Sequence, residues 1–148
     1  MRREIYVPPG GPPRVERPDP AIYAIMGEEA IFAMLEDFYV ELGQSEVADM
    51  FPQSPEGLRA ASHRSAAFFV GLLGGPPLYQ MRFGNPAMRA RHMPFAIDEA
   101  ARQEWLACFN RVLIDAPVRY NFPAEHLPGF RAFLDGFSGW MVNTGPES

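Results

Sequence analysis

The chemistry-bearing stretch of the chain is Arg89-Ala90-Arg91-His92-Met93-Pro94-Phe95, one imidazole with arginines three and one residues before it. Proline cannot donate a backbone hydrogen bond and disfavours helix in the residue before it. The run therefore predicts a short helix that starts after Gly84-Asn85-Pro86 and ends near His92. A neutral imidazole nitrogen is a good axial donor to iron, and guanidiniums pair well with carboxylates. One histidine beside a basic pair thus suits a haem, iron for the ring nitrogen and propionates for the arginines. The plain alternative is a histidine that merely stabilises a helix C-terminus, where positive charge is favoured. The run alone does not choose between them.

The rest of the chain must supply the walls. Ile31, Met34, Leu35, Phe38 and Leu42 recur at helical spacing from Gly27 onward, with Glu28 and Glu29 where the helix dipole favours them. Tyr39 lies on the same face, one turn after Leu35, and carries its hydroxyl inward. A second helix is predicted from Pro55 to Leu73, stopped by Gly74-Gly75-Pro76-Pro77. Its inward stripe reads Leu58, Ala61, Ser65, Phe68/Phe69 and Leu72, and the small pair Ala61 and Ser65 leaves room opposite. Asp98 is the expected N-cap of a helix to about Asp115, with Trp105, Cys108, Phe109 and Val112 on one face. A last helix, from Pro123 or Pro128 to Val142, turns Phe130, Phe133, Leu134, Phe137 and Met141 inward. That makes four main helices and a short one carrying His92. Valine, isoleucine and threonine are sparse, Thr144 being the only threonine, so the expected fold class is all-α.

Residues 1–20 hold six prolines and read as an extended arm, free or wrapped on the body; residues 21–148 read as one domain. A net charge of −5 argues against nucleic acid as a partner. No apolar run is long enough to span a bilayer, no signal peptide is evident, and the lone Cys108 excludes an internal disulfide, which together suit a cytoplasmic protein. Cys108 stands outside any Cys-x-x-Cys-His run, so a haem would not be attached through thioethers.

Taken together, Gly74-Gly75-Pro76-Pro77-Leu78-Tyr79, Gly84-Asn85-Pro86, the His92 run, Ile97 and Trp105-Leu106 resemble the group II truncated haemoglobins. The likeness covers roughly residues 22–144, with Phe38-Tyr39 and the closing Met141-Val142-Asn143, and leaves out the arm. It implies a two-over-two helical sandwich around haem b (iron protoporphyrin IX). In such a fold His92 is the proximal iron ligand, and Tyr39 and Trp105 line the distal side. Arg89, Arg91 and Tyr79 fall where relatives hold propionates or shape the rim, and Ala61, Ser65, Phe69 and Phe95 complete the expected cofactor-binding set.

The residues themselves agree with these roles. Ferrous iron needs one strong axial donor and an open sixth position, and a phenol and an indole N–H supply two hydrogen-bond donors. Two departures from the family pattern stand out. The loop after Tyr39 is one residue short, placing Gln44 or Ser45 where relatives often carry an aromatic residue or histidine, and about three residues are inserted before the second helix. In the register used here His63 points aside; another register would make it a distal donor or a sixth ligand. His126 is expected in a solvated loop.

The leading functional expectation is reversible binding of dioxygen or another diatomic gas, as a monomer or homodimer served by a reductase. The alternative is a haem enzyme reducing peroxide or oxidising nitric oxide, which needs a base and a positive charge over the distal oxygen, from His63 or Arg64. A third, a haem-free helical sensor or scaffold, is disfavoured by His92 with Arg89 and Arg91.

Overall fold

The computed structural model describes residues 5–145; the first four residues of the arm and residues 146–148 lie outside it. Among the described residues there are helices and turns and no strand. Helix α1 runs Ala21–Gly43 and α2 Pro55–Leu72, joined through a 3₁₀ turn at Ala48–Met50. Then come α3 (Leu78–Phe83), α4 (Met88–His92), α5 (Glu99–Leu113), α6 (Ala116–Arg119) and α7 (Leu127–Met141). Helix α1 packs on α2 and α5 on α7, with α1 also against α5; these pairs make the two-over-two sandwich.

The expected start at Gly27 turns out to be a kink. Gly27 adopts φ 82 inside α1, and a further helical turn, with Ile22 and Met26 buried, precedes it. Only glycine takes that backbone freely. Helix α2 is capped by Ser54, whose hydroxyl accepts from Gly57 N, and α5 by Asp98, whose carboxylate accepts from Ala101 N. Both caps satisfy donors that a helix start leaves open. The short helices α3 and α6 carry too few residues for a periodic signal and were not foreseen.

The core centres on aromatic rings. Phe38, Phe109 and Phe130 are almost fully covered, and Phe109 touches both others at centroid distances of 4.1 and 5.6 Å. Helix α2 buries Ser62, Ala66, Phe69 and Val70 toward the core, while the stripe read from sequence, Leu58, Ala61, Ser65, Phe68 and Leu72, lies one step round the helix and is half-buried. No helix among the described residues is long and apolar enough to cross a membrane.

Residues 5–20 form no helix or strand and touch the body at several points. Tyr6 N donates to Asn143 O, Val15 packs on the core beside Gly136, and Pro18 is buried. At the end of this run Pro20 meets Gly74 so closely that a Cβ on Gly74 would stand 2.3 Å from Pro20 O. His126, expected in solvent, is half-buried beside Asp19, because the arm passes over the loop that carries it.

Candidate functional site

Helix α4 is built to present one nitrogen. It follows Ala87 in the left-handed region (φ 35), where Asn85 Oδ1 accepts from Ala87 N. His92 Nδ1 lies 2.6 Å from the carbonyl oxygen of Met88, one turn back. A carbonyl only accepts, so Nδ1 carries a proton and, in the neutral ring, Nε2 keeps its lone pair. Nε2 has no protein partner among the described residues. This is the arrangement a metal-ligating histidine needs, one nitrogen fixed by hydrogen bonding and the other free to donate.

The two arginines serve different neighbours. Arg91 wraps the loop before α4, donating to Phe83 O at 3.0 Å, Asn85 O at 2.8 Å and Pro86 O at 2.8 Å, with its guanidinium 5.2 Å from the ring of Tyr79. It remains exposed. Arg89 turns the other way, to Val142 O at 2.8 Å, Tyr6 O at 2.7 Å and Trp140 O, and lies over the Trp140 ring. Its donors face three carbonyls of the chain ends.

Between α1 and α5, Phe38 brings two donors together. Tyr39 and Trp105 both meet its ring edge-on, at 5.6 and 5.3 Å. Burial pushes the Tyr39 phenol above its ordinary pKa, while a hydrogen bond with Ser65 and the charge of Arg64 pull the other way. The phenol is therefore a neutral donor at any physiological pH. The Trp105 indole N–H has no protein acceptor among the described residues, and the ring is half-buried. Buried indoles normally find a partner.

Several large apolar side chains packed on the core are only half covered by protein: Phe51, beside Tyr39, and Phe68, Leu72, Ile97 and Leu106, with Ala61 and Ser65 on the Phe68 stripe of α2. Together with a free imidazole nitrogen and an unpaired indole donor, they fit a flat apolar group that carries a metal. A haem is such a group. A separate open apolar groove of about 540 Å³ lies between α4 and α7, lined by Met88, Arg89, Met93, Phe137, Trp140 and Met141. Neither His92, Tyr39 nor Trp105 lines it.

The structure places the remaining candidates unevenly. Tyr79 is buried, held among Phe68, Phe83 and Arg91. Phe95 follows the helix with its ring 42% exposed. Phe69 points into the core against Phe109 and Phe130; its neighbour Phe68 is the one on the Ala61 and Ser65 stripe, as spacing of seven and three residues would have indicated. His63 is tied to α1, with Nε2 2.6 Å from Glu36 Oε1 and its ring against Phe32. Arg64 lies over Phe83. Gln44 is exposed, and the Ser45 hydroxyl closes its own turn on Leu42 O.

Comparison with known proteins gives this geometry its context. Residues 21–133 match the model of the bacterial-like globin family. The chain is 34% identical over 88 residues to the group 2 truncated hemoglobin YjbI of Bacillus subtilis, spanning 60% of this chain and 65% of that protein. It is 45% identical over 49 residues to two-on-two hemoglobin-3 of Arabidopsis thaliana, 33% of this chain and 28% of that one. The alignments thus reach less than two thirds of the length of these curated relatives. Among solved structures, phosphate-bound Hell's gate globin IV superposes with a TM-score of 0.84 at 38% identity, covering 91% of this chain and 82% of that one. The group II truncated hemoglobin of Bacillus anthracis gives 0.76 at 28% identity, covering 88% and 95%. With helix order, sandwich and sequence in accord, the chain belongs to the bacterial-like globin family, a globin haem protein on the truncated haemoglobin fold.

Proposed function

We propose that the chain binds haem b with His92 Nε2 as proximal ligand and holds dioxygen, or another diatomic gas, on the side of Tyr39 and Trp105. The observation that carries the reading is the His92 Nδ1 contact to Met88 O, which fixes the tautomer and leaves Nε2 as donor. When bound, the haem supplies an iron with an open axial position. The chain's residues do the rest. Tyr39 and Trp105 offer O–H and N–H donors to a polar ligand, and Phe38, Phe51 and Phe68 keep water out. Arg91, exposed at the rim, can lend a propionate one of its N–H groups beside the loop carbonyls it already serves. Ala61 and Ser65 leave the ligand room.

Peroxide reduction or nitric oxide oxidation as the main role is the less favoured reading, since the His63 ring that would act as its base is held by Glu36. The reading treats residues 21–148 as the working domain, residues 1–20 as an arm, a reductase as the source of reducing electrons, and the cytoplasm as the location, in keeping with the free thiol of Cys108. Absorption spectra of ferric, ferrous and carbonyl forms test it. A five-coordinate ferrous spectrum that becomes six-coordinate under carbon monoxide is expected. A protein that takes up no haem, or one whose spectrum is unchanged by His92→Gly, would overturn it.

A further inference from the structure

We infer that Asn143, just beyond the end of α7, is a positioning residue for the proximal histidine. This rests on the assignment of His92 proposed above. Asn143 is completely buried, and its side chain makes three hydrogen bonds to the backbone between His92 and Ile97. Oδ1 accepts from Ile97 N at 2.9 Å, while Nδ2 donates to Phe95 O at 3.0 Å and to His92 O at 3.3 Å. The Asn143 and Thr144 backbone amides both donate to Ile97 O, and Thr144 Oγ1 donates to Oδ1. One carboxamide thus ties the two ends of the stretch from His92 to Ile97, alongside the backbone bonds Met93 N to Ala90 O and Phe95 N to His92 O.

The need for such a tie follows from α4. Five residues make little more than one turn, too few to hold a helix on their own hydrogen bonds. The imidazole direction therefore depends on what anchors the backbone at each end of α4. Arg91 anchors the entry through Phe83, Asn85 and Pro86. Asn143 anchors the exit, and only an amide can both accept from one backbone group and donate to two others. Arg89 and Tyr6 N close the outside, on Val142 O and Asn143 O. A shift at Asn143 would reach the imidazole through the His92 carbonyl without touching the iron or its ligand.

The test uses haem-loaded protein and the iron–histidine stretching band of the ferrous form, read by resonance Raman, which a merely structural residue would not move. Asn143→Ala removes all three side-chain bonds to the stretch from His92 to Ile97; Asn143→Asp keeps the acceptor for Ile97 N and loses both donors. Both should lower and broaden the band, and speed transfer of ferric haem to an excess of apomyoglobin by about tenfold, the effect expected for a lost buried hydrogen bond. Arg102→Ala serves as control: it cuts the α5–α7 links to Ser138 and Asp135 at a distance from α4 and should leave the band in place. An unshifted band in both Asn143 variants overturns the inference, as does loss of helical circular dichroism in both, which would make Asn143 a residue of global stability. His92→Gly separates the two readings. If that variant keeps the native band, the proximal assignment fails; if it loses the band while the Asn143 variants keep it, only the present inference fails.

Discussion

The two faces of the site handle hydrogen bonding in opposite ways. On the α4 side nearly every donor is already spent: His92 Nδ1 on Met88 O, Arg91 on three loop carbonyls, Arg89 on three more, Asn143 on two. On the α1 and α5 side, two donors ride on large aromatic bodies, one shared with Ser65 and the other unpaired among the described residues. A group that must hold one direction is best fixed by saturated bonds. A group that must greet a ligand is best kept short of partners, because a buried donor gains most when the ligand supplies its acceptor. Saturated and unsaturated donors are thus divided between α4 on one side and α1 with α5 on the other.

The largest blow to this contrast is His92→Gly, which removes the proposed axial donor itself. Haem should be lost or held loosely, and added imidazole should restore the native spectrum in part. A variant that keeps its wild-type ferrous spectrum without imidazole would break the comparison at its root.

Next come the unsaturated donors. A hydrogen bond to a charged or strongly polar acceptor contributes about 1.5–3 kcal/mol, so Tyr39→Phe or Trp105→Phe should speed dioxygen dissociation about ten- to a hundredfold. Carbon monoxide, much less polar when bound, should respond far less. Stopped-flow dissociation of both gases decides the matter, and equal acceleration of the two would reduce these residues to steric gates.

Arg91→Ala probes the saturated half at its exposed edge. Solvent-exposed charge contacts contribute about 0.2–1 kcal/mol, so haem transfer should quicken only about two- to fivefold, with the iron spectrum unchanged. A large change in ligand affinity would show that the rim speaks to the ligand side after all.

The mildest test is pH. Burial raises the pKa of Tyr39, burial and the neighbouring Asp37 carboxylate raise that of Tyr120, and burial raises that of Cys108, above ordinary values of 10.0 for tyrosine and 9.0 for cysteine. For a raised pKa the folded chain holds protons that the unfolded chain has released, so their stabilising effect is complete below the unfolded pKa and is lost as pH rises beyond it. Thermal unfolding midpoints should therefore hold level through neutrality and fall above about pH 9. Tyr120→Phe, which removes the hydroxyl bonded to Asp37, should flatten that fall, and an unchanged slope would count against it.

How much of this was visible beforehand depended on the range of the interaction. Asp98 as a cap, the end of α2 at the Gly74-Gly75 pair and the face of Phe130, Phe133 and Leu134 all follow from signals within a turn or two. The gathering of Tyr39, Trp105 and Ser65 near one another came from helix faces and family likeness combined. What stayed hidden was non-local or too short to be periodic. Arg89 reaches carbonyls 51 to 83 residues away, and nothing near it in sequence marks them. Phe68 and Phe69 are adjacent, so one step around the helix decides which enters the core, where Phe69 meets Phe109 of α5 and Phe130 of α7. The turn before Gly27 was missed because the glycine that kinks α1 reads as a helix start.

The brevity of α4 has a consequence for how the molecule is assembled in time. Its backbone is held by residues as distant as Tyr6 and Asn143, so its five residues gain their shape only after nearly the whole described chain exists. A ribosome releases the α1–α2 pair long before the 140–144 stretch emerges. The α1 and α5 side with the free donors can form while synthesis continues, and the helix with the imidazole must wait for the final helix. The seating of α4 is therefore a post-translational event, and removing residues from 141 onward would leave a helical body whose α4 lacks its anchors.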